Sequence, residues 1–134
     1  MADLDRTHAA IRSAGGVNPR LLRMPHGIDR PWIKAAAREM GYALVNWTYG
    51  ADWQPGSAEQ LLPGYLAAIR PGAILLFHDG GRDRSKSLKL AEAVIQSARQ
   101  QGFEMVTVGQ LLGASPAWNR DFRVDARPVG SGGR

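Results

Sequence analysis

The chain has 134 residues, which suits one domain of ordinary size, and its 44% hydrophobic and 22% charged residues are typical of a folded protein rather than a disordered one. No apolar run approaches the roughly 20 residues that cross a bilayer, so no membrane span is expected. The net charge of +5 comes from dispersed arginines without a basic cluster, so nucleic-acid binding is not expected. Without cysteine, the chain has neither disulfides nor thiolate metal ligands.

Four short apolar segments alternate with helical patterns along the chain. They cover residues 21–23, 43–47, 73–77 and 105–108, and the middle two are nearly continuous in apolar character, as in strands that are covered on both faces. This alternation predicts an α/β fold with parallel strands and right-handed crossovers. Four strands are too few for a closed parallel barrel of about eight strands. The sequence therefore predicts an open sheet or a partial (β/α) barrel.

The helices carry their own start and stop signals. A first helix is expected over residues 3–14, and a second begins near Pro31 with Asp29 as its N-cap and Gly41 after its end. Residues 57–60 form a capping box, and Pro63-Gly64 is expected to break or kink the helix that follows. The clearest helix covers residues 85–101. Its predicted apolar face comprises Leu88, Ala91, Val94, Ile95 and Ala98.

The pattern of strands and helices ends near residue 112. We therefore predict one domain over residues 3–112 and a flexible tail over residues 113–134, which is rich in glycine, proline and arginine. The first six residues include two acids and no hydrophobic segment, so no secretory signal is expected, and the chain as written would be cytoplasmic.

Polar and aromatic residues follow the carboxyl ends of the first three predicted strands. In parallel α/β folds, binding and catalysis concentrate at these ends. His78 is a candidate general acid, with Asp52 as its first candidate partner and Asp79 as the second. Leu76 is on the same side of the strand as His78 and is expected to floor an apolar pocket. The other residues predicted at this rim are Arg23, Pro25, His26, Trp47, Tyr49 and Trp53.

Each of these residues also has a purely structural explanation. A His-Asp pair after a strand can simply close a turn, and Arg23 can form a structural ion pair. Trp47 and Trp53 can belong to the core rather than to a ligand platform. Residue types alone leave these alternatives open.

The order of the motifs adds a resemblance. Residues 23–27 (Arg-Met-Pro-His-Gly), Trp47 with Asp52-Trp53, and residues 74–81 (Ile-Leu-Leu-Phe-His-Asp-Gly-Gly) resemble the later motifs of polysaccharide deacetylases with a NodB homology domain, also called carbohydrate esterase family 4. The helix and apolar segment over residues 87–108 resemble the closing elements of that domain. The resemblance covers residues 3–112 and concerns the C-terminal half of the family domain.

The resemblance implies a distorted (β/α) barrel that removes acetyl groups from polysaccharides. It implies that Arg23 orients a catalytic base, that Asp52 tunes the acid, and that His78 protonates the leaving amine or alcohol. Leu76 would line the acetyl pocket. The expected partner is an acetylated polysaccharide or oligosaccharide. Family members work mostly outside the cytoplasm, which conflicts with the absence of an export signal here and leaves the localisation unknown.

Two family motifs are missing from this sequence. Thr-Phe-Asp-Asp-Gly, which supplies the base and a metal ligand, and His-Ser/Thr-x-x-His, which supplies two further ligands, do not occur. The complete domain would use zinc or a similar divalent metal, whereas this chain alone is expected to bind none. Three hypotheses stay open: a fragment of a deacetylase that is inactive alone, a non-catalytic carbohydrate-binding or regulatory half-domain, or an unrelated small α/β binding module whose resemblance is accidental. Unpaired edge strands would also favour self-association.

Overall fold

The computed structural model describes residues 2–81 and 83–113 of the chain. The predicted tail therefore lies outside the described residues, except for Gly113. The described residues divide into two compact units, residues 2–46 with 112–113 and residues 47–111. Within the described part of the chain, every helix is too short or too polar to cross a membrane.

The first unit contains a short parallel sheet and two helices. Helix α1 covers Ala2–Gly15, strand β1 covers Leu21–Leu22, helix α2 covers Pro31–Glu39 and strand β2 covers Ala43–Leu44. The two strands pair in parallel, with Leu21 opposite Ala43. A single turn of 3₁₀ helix, Pro25–Gly27, follows β1. The predicted α/β pattern is thus present, and the first two predicted strands are confirmed in shortened form.

The third and fourth predicted strands do not form a regular sheet in the described residues. The segment over residues 73–77 is extended and pairs through an isolated parallel bridge between Leu75 and Tyr49. The Leu76 N–H donates to the Tyr49 carbonyl at 2.9 Å. A continuous ladder needs partner backbone along the whole segment, and the described pairing covers only part of it. Residues 103–107 have no regular structure, and helix α5 covers Val108–Leu111. The four-stranded partial barrel is therefore not confirmed.

Helices α1 and α2 lie where the sequence placed them, although the predicted cap of α2 is wrong. Arg30 occupies the N-cap position, and its side chain makes no capping hydrogen bond. Asp29 instead forms an ion pair with Lys34 at 2.8 Å. Pro31 in the first turn and Gly41 after the end, at φ 76°, delimit the helix as expected.

Helix α3 covers Ala58–Ala67 and begins with the predicted capping box, in which the side chains and backbone N–H groups of Ser57 and Gln60 bond reciprocally. Of the predicted break or kink at Pro63, the break is wrong, because the helix continues through this residue. Pro63 is exposed, and so is Glu59, whose carbonyl loses its helical donor. Water can therefore satisfy that carbonyl without ending the helix.

Helix α4, Ser85–Gln100, has the predicted extent, and its predicted face is buried only in part, at Val94 and Ala98. Leu88 is 71% exposed and Ile95 is 38% exposed, so these two apolar residues face away from the core. The buried residues are Ser87, Leu90, Val94 and Ala98. Their spacing of three, four and four residues defines one helical stripe, and a serine begins it.

Tyr65 is the centre of the core in the second unit. It is fully buried, stacks on Phe77 with ring centroids 4.7 Å apart, and packs edge-to-face with Tyr49. Its hydroxyl accepts the backbone N–H groups of Ala51 and Asp52 at 2.9 and 3.0 Å and donates to the Leu76 carbonyl at 2.9 Å. Burial raises the pKa of the Tyr65 phenol, which keeps this donor protonated. One side chain therefore ties the loop at Asp52 to the extended segment that leads to His78.

Candidate functional site

The site is built around a buried carboxylate. Asp52 is 1% exposed and lies in the turn that follows Ala51. Its Oδ2 accepts the His78 backbone N–H at 2.7 Å and the Ser87 hydroxyl at 2.6 Å, and its Oδ1 is 2.8 Å from His78 Nδ1. Three donors thus compensate the desolvation of this charge.

His78 joins this carboxylate to the protein surface. Its side chain is 41% exposed, whereas that of Asp52 is fully buried. Because an ionised carboxylate can only accept hydrogen bonds, the proton on His78 belongs at Nδ1 when the ring is neutral. The other nitrogen, Nε2, is then the atom that can exchange a proton with a bound molecule. Such an arrangement can perform general acid or base catalysis.

The ionisation of Asp52 results from opposing effects. Burial raises the pKa of its carboxyl, whereas hydrogen bonds from the Ser87 hydroxyl and from the His78 ring and backbone lower it. The net effect is a pKa below the ordinary range of an aspartate. Asp52 is therefore a carboxylate at neutral pH, which is the state that attracts a protonated imidazole.

Trp53 forms an aromatic edge beside the imidazole. Its ring meets that of His78 edge-on, with centroids 5.5 Å apart and planes at 82°, and Trp53 remains 49% exposed. Gly50 allows this close packing, because a Cβ there would lie 2.9 Å from the Leu76 Cβ and 3.2 Å from the Trp53 ring. Leu76 itself is buried at 5% exposure. A side chain at position 50 would therefore displace two neighbours of the His78 segment.

The other predicted aromatic residues have different surroundings. Tyr49 packs against the core cluster around Tyr65, and its hydroxyl occupies the space that a Cβ at Gly64 would need. Trp47 is half-buried. Tyr49 therefore packs with the core, which is the structural alternative to lining a ligand groove.

Three predicted site residues belong to the first unit. Arg23 follows β1 and is exposed, and Pro25 and His26 are exposed in the 3₁₀ turn. His26 adopts a left-handed backbone conformation with φ 58°. The structure thus brings Asp52, His78 and Trp53 together within the second unit, while the shared rim with Arg23 stays a prediction.

Sequence reasoning missed Ser87 and Tyr65. Ser87 is 4% exposed and bonds directly to Asp52, yet the predicted apolar face of α4 ran through Leu88. The available signal was the stripe of Ser87, Leu90, Val94 and Ala98, in which a polar residue occupies a core position and so needs a polar partner.

Candidate metal ligands are His, Cys, Asp and Glu side chains that lie close together. Among residues 2–81 and 83–113, no group of three or more histidine, cysteine, aspartate or glutamate side chains could hold a metal ion.

Comparisons with known proteins identify a set of relatives. No family model matches the chain. It is 32% identical over 97 residues to a peptidoglycan-N-acetylglucosamine deacetylase of Bacillus cereus, which covers 70% of this chain and 46% of that protein. It is 35% identical over 115 residues to a chitooligosaccharide deacetylase of Bradyrhizobium, covering 76% and 52%. The chain thus spans about half the length of these relatives.

Solved structures show the same fold. A pseudoenzyme of carbohydrate esterase family 4 from Bacillus anthracis superposes with a TM-score of 0.72 at 25% identity, covering 83% of this chain and 38% of that one. The peptidoglycan deacetylase PdaC from Bacillus subtilis gives 0.69 at 23% identity, covering 82% and 52%. The second match shows the fold alone.

The buried carboxylate predicts how stability depends on pH. A carboxyl whose pKa is lower in the folded than in the unfolded state stabilises the fold above the unfolded value of about 4. This contribution is lost as the pH falls through the folded pKa. We expect the unfolding free energy from urea titrations to drop below about pH 4, and Asp52→Asn to make that drop shallower. Asp79→Asn, at the exposed neighbour of His78, should leave the drop as in the wild type. Identical profiles for all three proteins would contradict the assignment.

Proposed function

Because this chain is a relative of the polysaccharide deacetylases, we propose that it supplies the acid half of a deacetylase site that removes acetyl groups from a polysaccharide. The observation that carries this proposal is the pair of Asp52 and His78, in which a buried carboxylate holds a partly exposed imidazole at 2.8 Å. The order of the motifs indicates that the chain corresponds to the C-terminal half of the deacetylase domain.

The proposed chemistry is protonation of the leaving group. When the C–N or C–O bond to the acetyl carbon breaks, the departing amine or alcohol needs a proton, and the Nε2 of a protonated His78 donates it. Asp52 stabilises the imidazolium during this step because its charge lies 2.8 Å from Nδ1. Arg23 would orient the base of the complete site, and Leu76 would line the acetyl pocket.

The base and the metal ligands would come from the part of a complete domain that this chain does not match. Without them, the chain alone is expected to be inactive, since general-base and metal catalysis each contribute orders of magnitude to such reactions. The metal would polarise the acetyl carbonyl in the complete domain.

A chimera tests the proposed role of His78. The region of the Bradyrhizobium deacetylase that this chain does not match would be joined to residues 2–113, and acetate release from chito-oligosaccharides would be measured with added zinc. We expect activity from the chimera and none from the chain alone. His78→Ala should lower kcat at least about 100-fold, since it removes the proposed general acid, whereas His8→Ala in α1 should not.

Two outcomes would contradict the proposal. Zinc-stimulated acetate release by the chain alone would show that the missing motifs are not required. An active chimera that retains its kcat after His78→Ala would show that another group protonates the leaving atom.

The second candidate function is carbohydrate binding without catalysis. The specific observation is Trp53, whose ring is half exposed beside His78 and offers an apolar face for a sugar ring. On this hypothesis the chain alone binds chito-oligosaccharides, and Trp53→Ala weakens the binding at least about tenfold. Trp32→Ala is the matched control, because Trp32 is also exposed, at 69%, but belongs to α2. Calorimetric titration with no heat at millimolar ligand would exclude this candidate.

We also propose that an apolar groove in the second unit mediates self-association with a second copy of the chain. The groove is lined by Ile74, Phe77, Val94, Phe103 and Val106, and it borders the partly paired backbone of residues 73–77. Met105 and Val106 in its wall are 47% and 41% exposed. A second chain could cover these side chains and pair with the open backbone.

Sedimentation equilibrium tests this association. We expect a concentration-dependent dimer that Val106→Glu shifts to monomer, because a charge in an apolar interface is costly to desolvate. Leu88→Glu, at an exposed leucine outside the groove, should leave the equilibrium unchanged. A wild-type monomer at all concentrations would rule the proposal out.

A further inference from the structure

Ser87 is a buried hydrogen-bond partner of Asp52 in the Asp52–His78 pair. It occupies the first turn of α4 and is 4% exposed, and its Oγ is 2.6 Å from Asp52 Oδ2. The hydroxyl is the side-chain donor on Oδ2, where the backbone N–H of His78 also bonds. Oδ1 faces the imidazole instead. The two carboxylate oxygens therefore have different partners, and Ser87 helps to determine which oxygen faces His78.

The position of the hydroxyl is fixed by the start of α4. The preceding residue, Lys86, donates from Nζ to the Gln54 carbonyl at 2.6 Å and to the Gly56 carbonyl at 3.3 Å. These carbonyls belong to the loop that follows Asp52. The first turn of α4 is thus bound to this loop at two neighbouring points, through Lys86 and through Ser87.

The backbone of Asp52 is held independently. Its N–H donates to the buried Tyr65 hydroxyl at 3.0 Å, which sets the position of the main chain but leaves the rotation of the carboxylate free. Rotation about the bond to the carboxylate is a soft torsion in aspartate. Ser87 and the His78 backbone N–H are the contacts on Oδ2 that oppose this rotation.

We propose that Ser87 is a positioning residue for the proposed acid His78 and acts through Asp52. Its hydroxyl fixes the plane of the carboxylate, so that Oδ1 stays aligned with Nδ1, and it stabilises the ionised form of Asp52. The reactivity of His78 then depends on a serine that does not contact the imidazole. This inference rests on the proposed function for its catalytic meaning, but its structural content concerns the chain itself.

The alternative is that Ser87 is only a small residue that fits a buried position. A purely structural role predicts a change in stability when the serine is replaced, but no specific change in the ionisation of Asp52 or in the tautomer of His78. NMR spectroscopy of the full chain distinguishes the two.

The experiment compares the wild type with Ser87→Ala, Ser87→Cys and Ser87→Thr. The Asp52 carboxyl is titrated through its ¹³C resonance, and the His78 tautomer is read from its ring ¹⁵N shifts at a pH where the ring is neutral. In Ser87→Ala we expect the Asp52 titration to move to higher pH, because a hydrogen bond that lowers its pKa is lost while burial remains. We also expect part of the His78 population to lose the Nδ1–H tautomer.

The remaining variants separate the effect of the hydroxyl from the effect of side-chain size. Ser87→Thr retains the hydroxyl and should restore both wild-type readouts. Ser87→Cys keeps the size with a weak donor and should shift the titration in the same direction as alanine, which provides the test if alanine prevents folding. Ser97→Ala, on the same helix, is the control and should change neither readout.

Two results would contradict the positioning role of Ser87. An Asp52 titration and a His78 tautomer that are unchanged in folded Ser87→Ala or Ser87→Cys would reduce Ser87 to a packing residue. A folded Ser87→Thr that behaves like alanine would do the same. Both readouts use the chain alone, so an inactive chimera would refute the deacetylase proposal without affecting this result.

Discussion

The structure of the second unit depends on one buried negative charge. Asp52 is removed from water, and an uncompensated carboxylate in that position would cost several kcal/mol. Its compensation comes from two separate segments, because His78 follows residues 73–77 and Ser87 lies in the first turn of α4. The charge is therefore satisfied only when both segments are in place. A site of this kind couples the folding of its surroundings to the orientation of its carboxylate.

The residues around Asp52 position the His78 imidazole at the protein surface. Tyr65 anchors the main chain at Asp52 and at Leu76, and so it fixes the two ends between which the pair forms. Gly50 lets Leu76 and Trp53 approach closely. His78 consequently has one nitrogen committed to the interior and one side open to a ligand. The division between a buried carboxylate and an exposed imidazole edge is what makes the pair suitable for proton transfer.

Part of this arrangement could be read from the sequence because it depends on local patterns. The capping box at Ser57, the length of α4 and the partnership of Asp52 with His78 follow from residue order and the rule for strand ends. The buried face of α4 could not be read in the same way. Hydrophobicity favoured Leu88, whereas the structure buries Ser87, whose cost is offset by a partner 35 residues away.

Local sequence patterns also could not establish whether the predicted strands pair into a regular sheet. Residues 73–77 have the composition of a buried strand, yet a ladder requires a partner backbone, and the described one is limited to the residues around Tyr49. The chain spans about half the length of its relatives. Helix α3 continues through Pro63, where water can bond to the exposed Glu59 carbonyl that lacks its helical donor.

The Asp52 carboxylate fixes His78 with Nδ1 facing inward. Long-range ¹H–¹⁵N correlation spectra of the wild-type chain, at a pH where His78 is neutral, test this orientation most directly. We expect a protonated Nδ1 and an unprotonated Nε2 for this one histidine, and a clearly different tautomer mixture in Asp52→Asn. A predominant Nε2–H tautomer in the wild type would contradict it, because Asp52 could then not be the group that holds the imidazole.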